Sequence, residues 1–170
     1  MLNQHSPPVS HASGGRSGED KTVSLIRSML LAIFLLGSVG IGMELFLLNH
    51  LESLLQWIPL VLILLSFCVL GWHAVRGNTA STRAIQGTMV AFIAAGLAGV
   101  YFHHQGSVEF KLESNPSLAG WQLFWQAIRS KTPPALAPGV MIQLGLIGLA
   151  YTYRHPALFT ATEVELDEGE

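Results

Sequence analysis

Apolar residues gather in four long stretches, 25–48, 54–75, 84–102 and 137–153. A membrane-spanning helix needs about 20 such residues to cross roughly 30 Å of hydrocarbon. The first two stretches reach that length easily, and the third and fourth fall a residue or so short. A lone segment in lipid must satisfy its own backbone hydrogen bonds, so each reads as a helix. The pattern predicts an all-α integral membrane protein. Four transmembrane helices form a bundle, and one short amphipathic interfacial helix lies in the long outer loop, 103–136. The first stretch has the basic front of a signal peptide, but its apolar run continues past Gly42 to Leu48. That is too long for a cleaved leader, and it reads as a retained span.

The long loop carries two patterns of its own. Val108, Phe110 and Leu112 alternate with Glu109, Lys111 and Glu113. Period two predicts an extended segment with one apolar face. Beyond it, Asn115 suits an N-cap and Pro116 a first helical position. Leu118, Trp121, Trp125 and Ile128 follow at spacings of three or four, with Phe124 beside them. This predicts an amphipathic helix over about 116–129, too short to span. It is anchored by its aromatics at the outer headgroup boundary or lies as a roof on the bundle.

Charge then orients the chain. Only 12% of residues are charged, about half the share of an ordinary soluble domain. Arg16, Lys21, Arg27, Arg76, Arg83 and Arg154 fall on one side of a four-span layout, and Lys111, Arg129 and Lys131 on the other. Basic residues mark the cytoplasmic side, so both termini are placed inside. The expected location is the cell membrane, by default a bacterial inner membrane. Residues 1–22, rich in Ser, Gly, Pro and His, read as a disordered tail. Residues 157–170 read as an acidic one, with Glu163, Glu165, Asp167, Glu168 and Glu170. The membrane domain is thereby 23–156. A net charge of −2 gives no reason to expect nucleic acid. The single Cys68 excludes an intrachain disulfide or dithiol relay.

Small and polar residues inside the spans suggest how they pack. Gly87, Ala91, Ala95 and Gly99 recur every four residues, which places them on one helix face. Small residues let membrane helices approach closely, so the third helix is expected at the centre. Ser38 and Gly42 offer a similar surface on the first helix, and Gln143 of the fourth is expected to face another helix. The second helix, mostly Leu, Val and Ile, is expected to be the most exposed to lipid.

The candidate chemistry sits at the outer ends of the spans: Glu44, His50, Glu52, His103 and His104. Imidazole and carboxylate are ligands for a transition metal, and paired histidines for haem. A capping box, Asn49 to Glu52, competes for Glu52, and His103 and His104 also suit a helix C-terminus. A carboxylate inside a span is costly, which singles out Glu44. His73 falls at the opposite end of its helix and reads as interfacial. No nucleotide, hydrolase or metalloprotease motif occurs. The leading expectation is a non-enzymatic accessory or assembly component of a membrane complex, partnered by another membrane protein or by its own copies. The alternatives are a metal- or haem-binding redox or proton-handling protein built on Glu44, His50, His103 and His104, and a small oligomeric transporter.

Overall fold

The computed structural model describes residues 13–47, 54–129 and 136–158. The described residues are helical and contain no strand. Five α-helices occur in order: α1 Ser13–Leu47, α2 Leu54–Arg76, α3 Thr79–Ser114, α4 Gly120–Ile128 and α5 Leu136–Thr152. A single 3-10 turn, Pro156–Leu158, follows. Three helices are long and apolar enough to cross a membrane, over Lys21–Leu47, Leu54–Arg76 and Thr79–Ser114, and α5 is a shorter apolar helix.

Two of the long helices depart from the sequence reading. Residues 13–22, expected as part of a disordered tail, belong to α1. Adding a residue to an existing helix costs far less than starting one, so the long apolar run carries the helix toward the N-terminus. The second departure is α3, which begins at Thr79 and continues to Ser114, well beyond 84–102. The segment 108–113, expected to be extended, is therefore helical. Val108 and Leu112 are one turn apart and both half-buried, on the same side as His104 and Lys111, whereas Phe110 points away. An isolated strand would have left its backbone unpaired, while the helix satisfies it internally.

The link between α2 and α3 is only Gly77 and Asn78. Gly77 takes φ +55°, a left-handed conformation that favours glycine, and its N–H donates to the His73 carbonyl at 2.7 Å. Asn78 then caps α3: its side chain accepts from the Ser81 N–H at 2.9 Å, and its own N–H donates to Ser81 Oγ at 3.2 Å.

The helix α3 makes its most extensive contact with α5, then with α2 and α4; α1 packs mainly on α5. The core is Phe34, Ile41 and Leu45 of α1, Ile63 of α2, Ile85, Met89 and Phe92 of α3, and Met141 and Leu144 of α5. Phe34 and Phe92 meet across it with ring centroids 5.8 Å apart. Only Ile63, Ser66 and His73 of α2 are buried. Its remaining surface is a belt of exposed Leu, Ile, Val and Trp, continued on α1 by Ile33, Leu36, Val39 and Phe46. An apolar surface of that extent is unfavourable in water and suits lipid.

The seam between α3 and α5 is set by glycines. A Cβ added at Gly96 would lie 2.6 Å from Ile142 Cγ1 and 2.7 Å from the Pro138 carbonyl oxygen. At Gly145 it would lie 2.6 Å from Ile93 Cγ1 and 2.7 Å from the Met89 carbonyl oxygen. These contacts run in opposite chain directions, so α5 is antiparallel to α3. The buried stripe of α3 is Ile85, Met89, Phe92 and Gly96. It is rotated from the expected one: Gly99 meets Pro138, Ala91 and Ala95 are half-buried at the flank, and Gly87 is exposed with open space at its Cβ position. Spacing alone did not reveal that rotation, because Gly96 lies next to the Gly87–Gly99 repeat and large apolar residues fill the rest of the buried stripe.

Candidate functional site

At the Pro138 end of the helix group, α3 continues past Phe102 for about 18 Å of helix by the rise per residue. It ends where Asn115 caps it, with the Asn115 N–H donating to the Lys111 carbonyl. Asn115 was expected to open the amphipathic helix. Instead its Oδ1 accepts from the Ser117 N–H and hydroxyl, holding a turn through Leu118. The helix α4 therefore starts only at Gly120, where φ is +58°. It folds back on α3. Ala127 is fully buried, Leu118, Leu123 and Ile128 are half-buried, and Phe124 rests on the His104 ring at 5.2 Å between centroids.

The aromatic anchors remain largely outside this contact. Trp121 stacks on Phe124 at 5.1 Å and 22°, and on Trp125 at 6.0 Å and 16°. The Arg129 guanidinium carbon lies 5.3 Å from the Trp125 ring centre, a cation–π contact. Trp121 is 73% exposed. The result is a nearly parallel aromatic ladder, closed at one end by a cation and carried on a projecting arm.

Of the expected ligand residues, those described do not form one cluster. Glu44 is exposed on α1, about one turn from Leu47. His103 is exposed on α3, and His104 lies half-buried beneath Phe124 with a buried Nε2 that has no hydrogen-bond partner. His50 and Glu52 lie outside the described residues. Among the described residues, no group of three or more His, Cys, Asp or Glu assembles in a metal-ligating arrangement. Of the packing residues, Ser38 is fully buried, and a Cβ at Gly42 would lie 3.8 Å from Ile63 Cδ1. Gln143, expected to face a neighbouring helix, is exposed on the outer side of α5.

The opposite end holds a polar cluster that sequence reasoning missed. His73 Nδ1 lies 2.9 Å from Ser81 Oγ, and the His73 and His155 rings are 5.0 Å apart, edge to face. Tyr151 stands 6.0 Å from His155 and 6.4 Å from His73. Arg27 of α1 donates to the Arg154 carbonyl at 2.8 Å and to the Tyr153 carbonyl at 3.4 Å. It thus supplies from another helix the cation that the C-terminus of α5 favours. Arg154 itself sits at φ +48°, a costly conformation for a residue with a Cβ, and the Arg27 bond falls on its carbonyl.

The 3-10 turn completes the cluster. Thr79 Oγ1 donates to the Ala157 carbonyl at 2.6 Å, and the Ala157 N–H donates to His155 Nδ1 at 3.3 Å. That bond requires an unprotonated Nδ1. Burial lowers the His155 pKa below the ordinary 6.5, and the facing His73 and Arg27 lower it further. The neutral ring is thus the form that fits. The arrangement works as a latch that ties the C-terminal turn to the start of α3. The available signal was that His73 shares a helix face with Ile63 and Ser66, so it points inward rather than to the interface.

No protein-family model matches this chain, and neither a curated protein nor a solved structure is significantly similar to it.

Proposed function

We propose that this chain is a four-span helical bundle of the cell membrane with both termini cytoplasmic, and that it serves as a non-enzymatic accessory or assembly component of a membrane complex. In this reading α1, α2, α3 and α5 cross the bilayer, and the α3–α4 arm stands on the extracytoplasmic side. The observation that carries it is the aromatic ladder on that arm. Trp121, Phe124 and Trp125 are exposed while Ala127 and Phe124's contact with His104 hold the helix that presents them. Aromatics of this kind supply large contact area at low entropic cost and dominate protein interfaces.

The reading is tested by photo-crosslinking in cells from a reactive side chain at position 121, with one at position 64 on the lipid-facing side of α2 as the control. The expected outcome is a discrete protein adduct from position 121 only. Trp125→Ala is expected to weaken it by about tenfold or more, the usual cost of truncating an interface aromatic. Adducts with lipid alone would make the arm a membrane anchor and reject the reading.

The unpaired His104 Nε2 favours a second reading, a metal- or haem-binding protein, since the tautomer protonated on Nδ1 offers an Nε2 lone pair as a ligand. Metal analysis and an optical spectrum of the purified chain test it. Stoichiometric metal or haem, lost on His104→Ala, is its expected signature.

A further inference from the structure

Gln143 occupies the middle of α5, roughly 10 to 14 Å from either end by helix rise. Its side chain is exposed, and no hydrogen bond joins it to any described residue. At that depth the amide is too short to reach water. A primary amide in hydrocarbon without a hydrogen bond is strongly disfavoured, so polar side chains within spans turn toward another helix. Among the described residues, no helix covers this side chain. Glu44 presents no such problem, because it lies about one turn from the end of α1 and reaches the interface.

The surroundings of Gln143 define a face. Gly139, Gln143, Leu146 and Ala150 follow one another at spacings of four, three and four, on the side of α5 opposite Met141, Leu144, Gly145 and Gly148. A Cβ at Gly139 would meet nothing within 4 Å. The face is uncharged, so two copies of it do not repel. It is narrow at Gly139 and Ala150, which lets a second helix come close. Most decisive is the amide, which carries donor and acceptor together and is complementary to itself. An isologous contact puts each residue near its own symmetry mate.

We infer that the outer face of α5 is a dimer interface, in which Gln143 pairs with Gln143 of a second copy across a two-fold axis at mid-membrane. The contact explains why the Gln143 amide faces away from the core of its own chain. It gives the membrane domain a symmetric pair of projecting arms. The inference rests on α5 being a span, as in the proposed four-span reading.

The test uses the full chain with Cys68→Ser and Gln143→Cys, in detergent micelles and in lipid vesicles. Mild oxidation is expected to yield a disulfide-linked pair, whereas Leu64→Cys in the same background gives none. In the otherwise native chain, Gln143→Leu is expected to raise the dimer dissociation constant roughly 5- to 30-fold, the range for an interhelical hydrogen bond in a membrane. Gln143→Asn, which keeps the amide, is expected to retain most of the association. A native chain that is monomeric in vesicles, or a Gln143→Leu dimer as tight as the native one, overturns the inference. Labelling of Gln143→Cys by a membrane-impermeant maleimide would instead overturn the span reading of α5, which separates the two failures. If Gln143→Leu does not fold, disulfide formation at 143 but not at 64 still decides.

Discussion

The helix α3 enters two pairings, and they are built on opposite principles. With α5 it forms a seam where Gly96 and Gly145 bring backbones into direct contact, with carbonyl oxygens 2.7 Å from where a side chain would start. With α4 it forms a contact of large rings and one small buried residue, Ala127. In the proposed four-span reading the first pairing lies within the bilayer, where apolar side chains gain nothing by leaving lipid for each other and close packing is the remaining force. In the same reading the second lies beyond the bilayer, where burying apolar area from water provides the drive. One helix thus uses two packing rules along its length, close backbone approach toward α5 and ring burial toward α4.

The largest effect is expected from filling the seam. Gly145→Leu and Gly96→Leu each force side-chain and backbone atoms apart, and a loss of about 3 kcal/mol or more is expected, read as unfolding in a denaturing detergent titration. A stable Gly145→Leu protein would show that α3 and α5 are not in backbone contact.

Next comes the arm. Ala127→Glu buries a carboxylate between α4 and α3, with an expected local cost of about 2 kcal/mol. Protease cleavage within 115–120 should accelerate while the melting of the membrane helices stays unchanged. A shared loss of both would show that the two pairings fold as one unit.

A smaller and reversible effect belongs to the latch at the other end. Burial, then His73 and Arg27, place the His155 pKa below the ordinary 6.5. On acidification the unfolded chain therefore takes up its proton first. The latch's contribution is fully present above about pH 6.5 and is lost as pH falls toward the folded-state value. His155→Asn keeps an acceptor for the Ala157 N–H without titrating. Its stability between pH 8 and 5 is expected to lack this component, measured against the native chain in the same detergent.

The smallest change is expected at Gly87. A small-residue repeat predicts that enlarging it breaks packing, whereas the structure leaves it exposed. Gly87→Ala should stabilise the helix by about 0.5–1 kcal/mol through reduced backbone freedom in the unfolded chain. A destabilised variant would return Gly87 to a packed interface.

Much of the architecture was legible in the chain. The runs 54–75 and 137–153 match α2 and α5 to within a residue at each end, because continuous apolar character is a local property that lipid reads directly. The low burial of α2 accords with its run of Leu, Val and Ile, which suits a lipid-facing surface. The segment 108–113 was not legible, since Val108 and Leu112 serve equally as alternate strand positions or as one helix face, and the helix beneath them made the choice. The candidate sites were less legible still. Glu44, His103 and His104 share a depth by sequence, but which way each side chain turns depends on helix rotation. His155 was invisible because its partners, His73 and Arg27, come from two other helices.

Local chemistry alone determined that this protein is helical, where its long apolar helices run, and that an aromatic helix follows the third. A helix in lipid must close its own hydrogen bonds, so these features need no knowledge of neighbours. Rotation about each helix axis was decided only in the tertiary structure. Gly96 rather than Gly87 lies in the seam, Gln143 faces outward, and His73 faces His155. A span that is apolar on every side has no polar face to set that rotation. It is set by where backbones fit closest and where buried polar groups find partners.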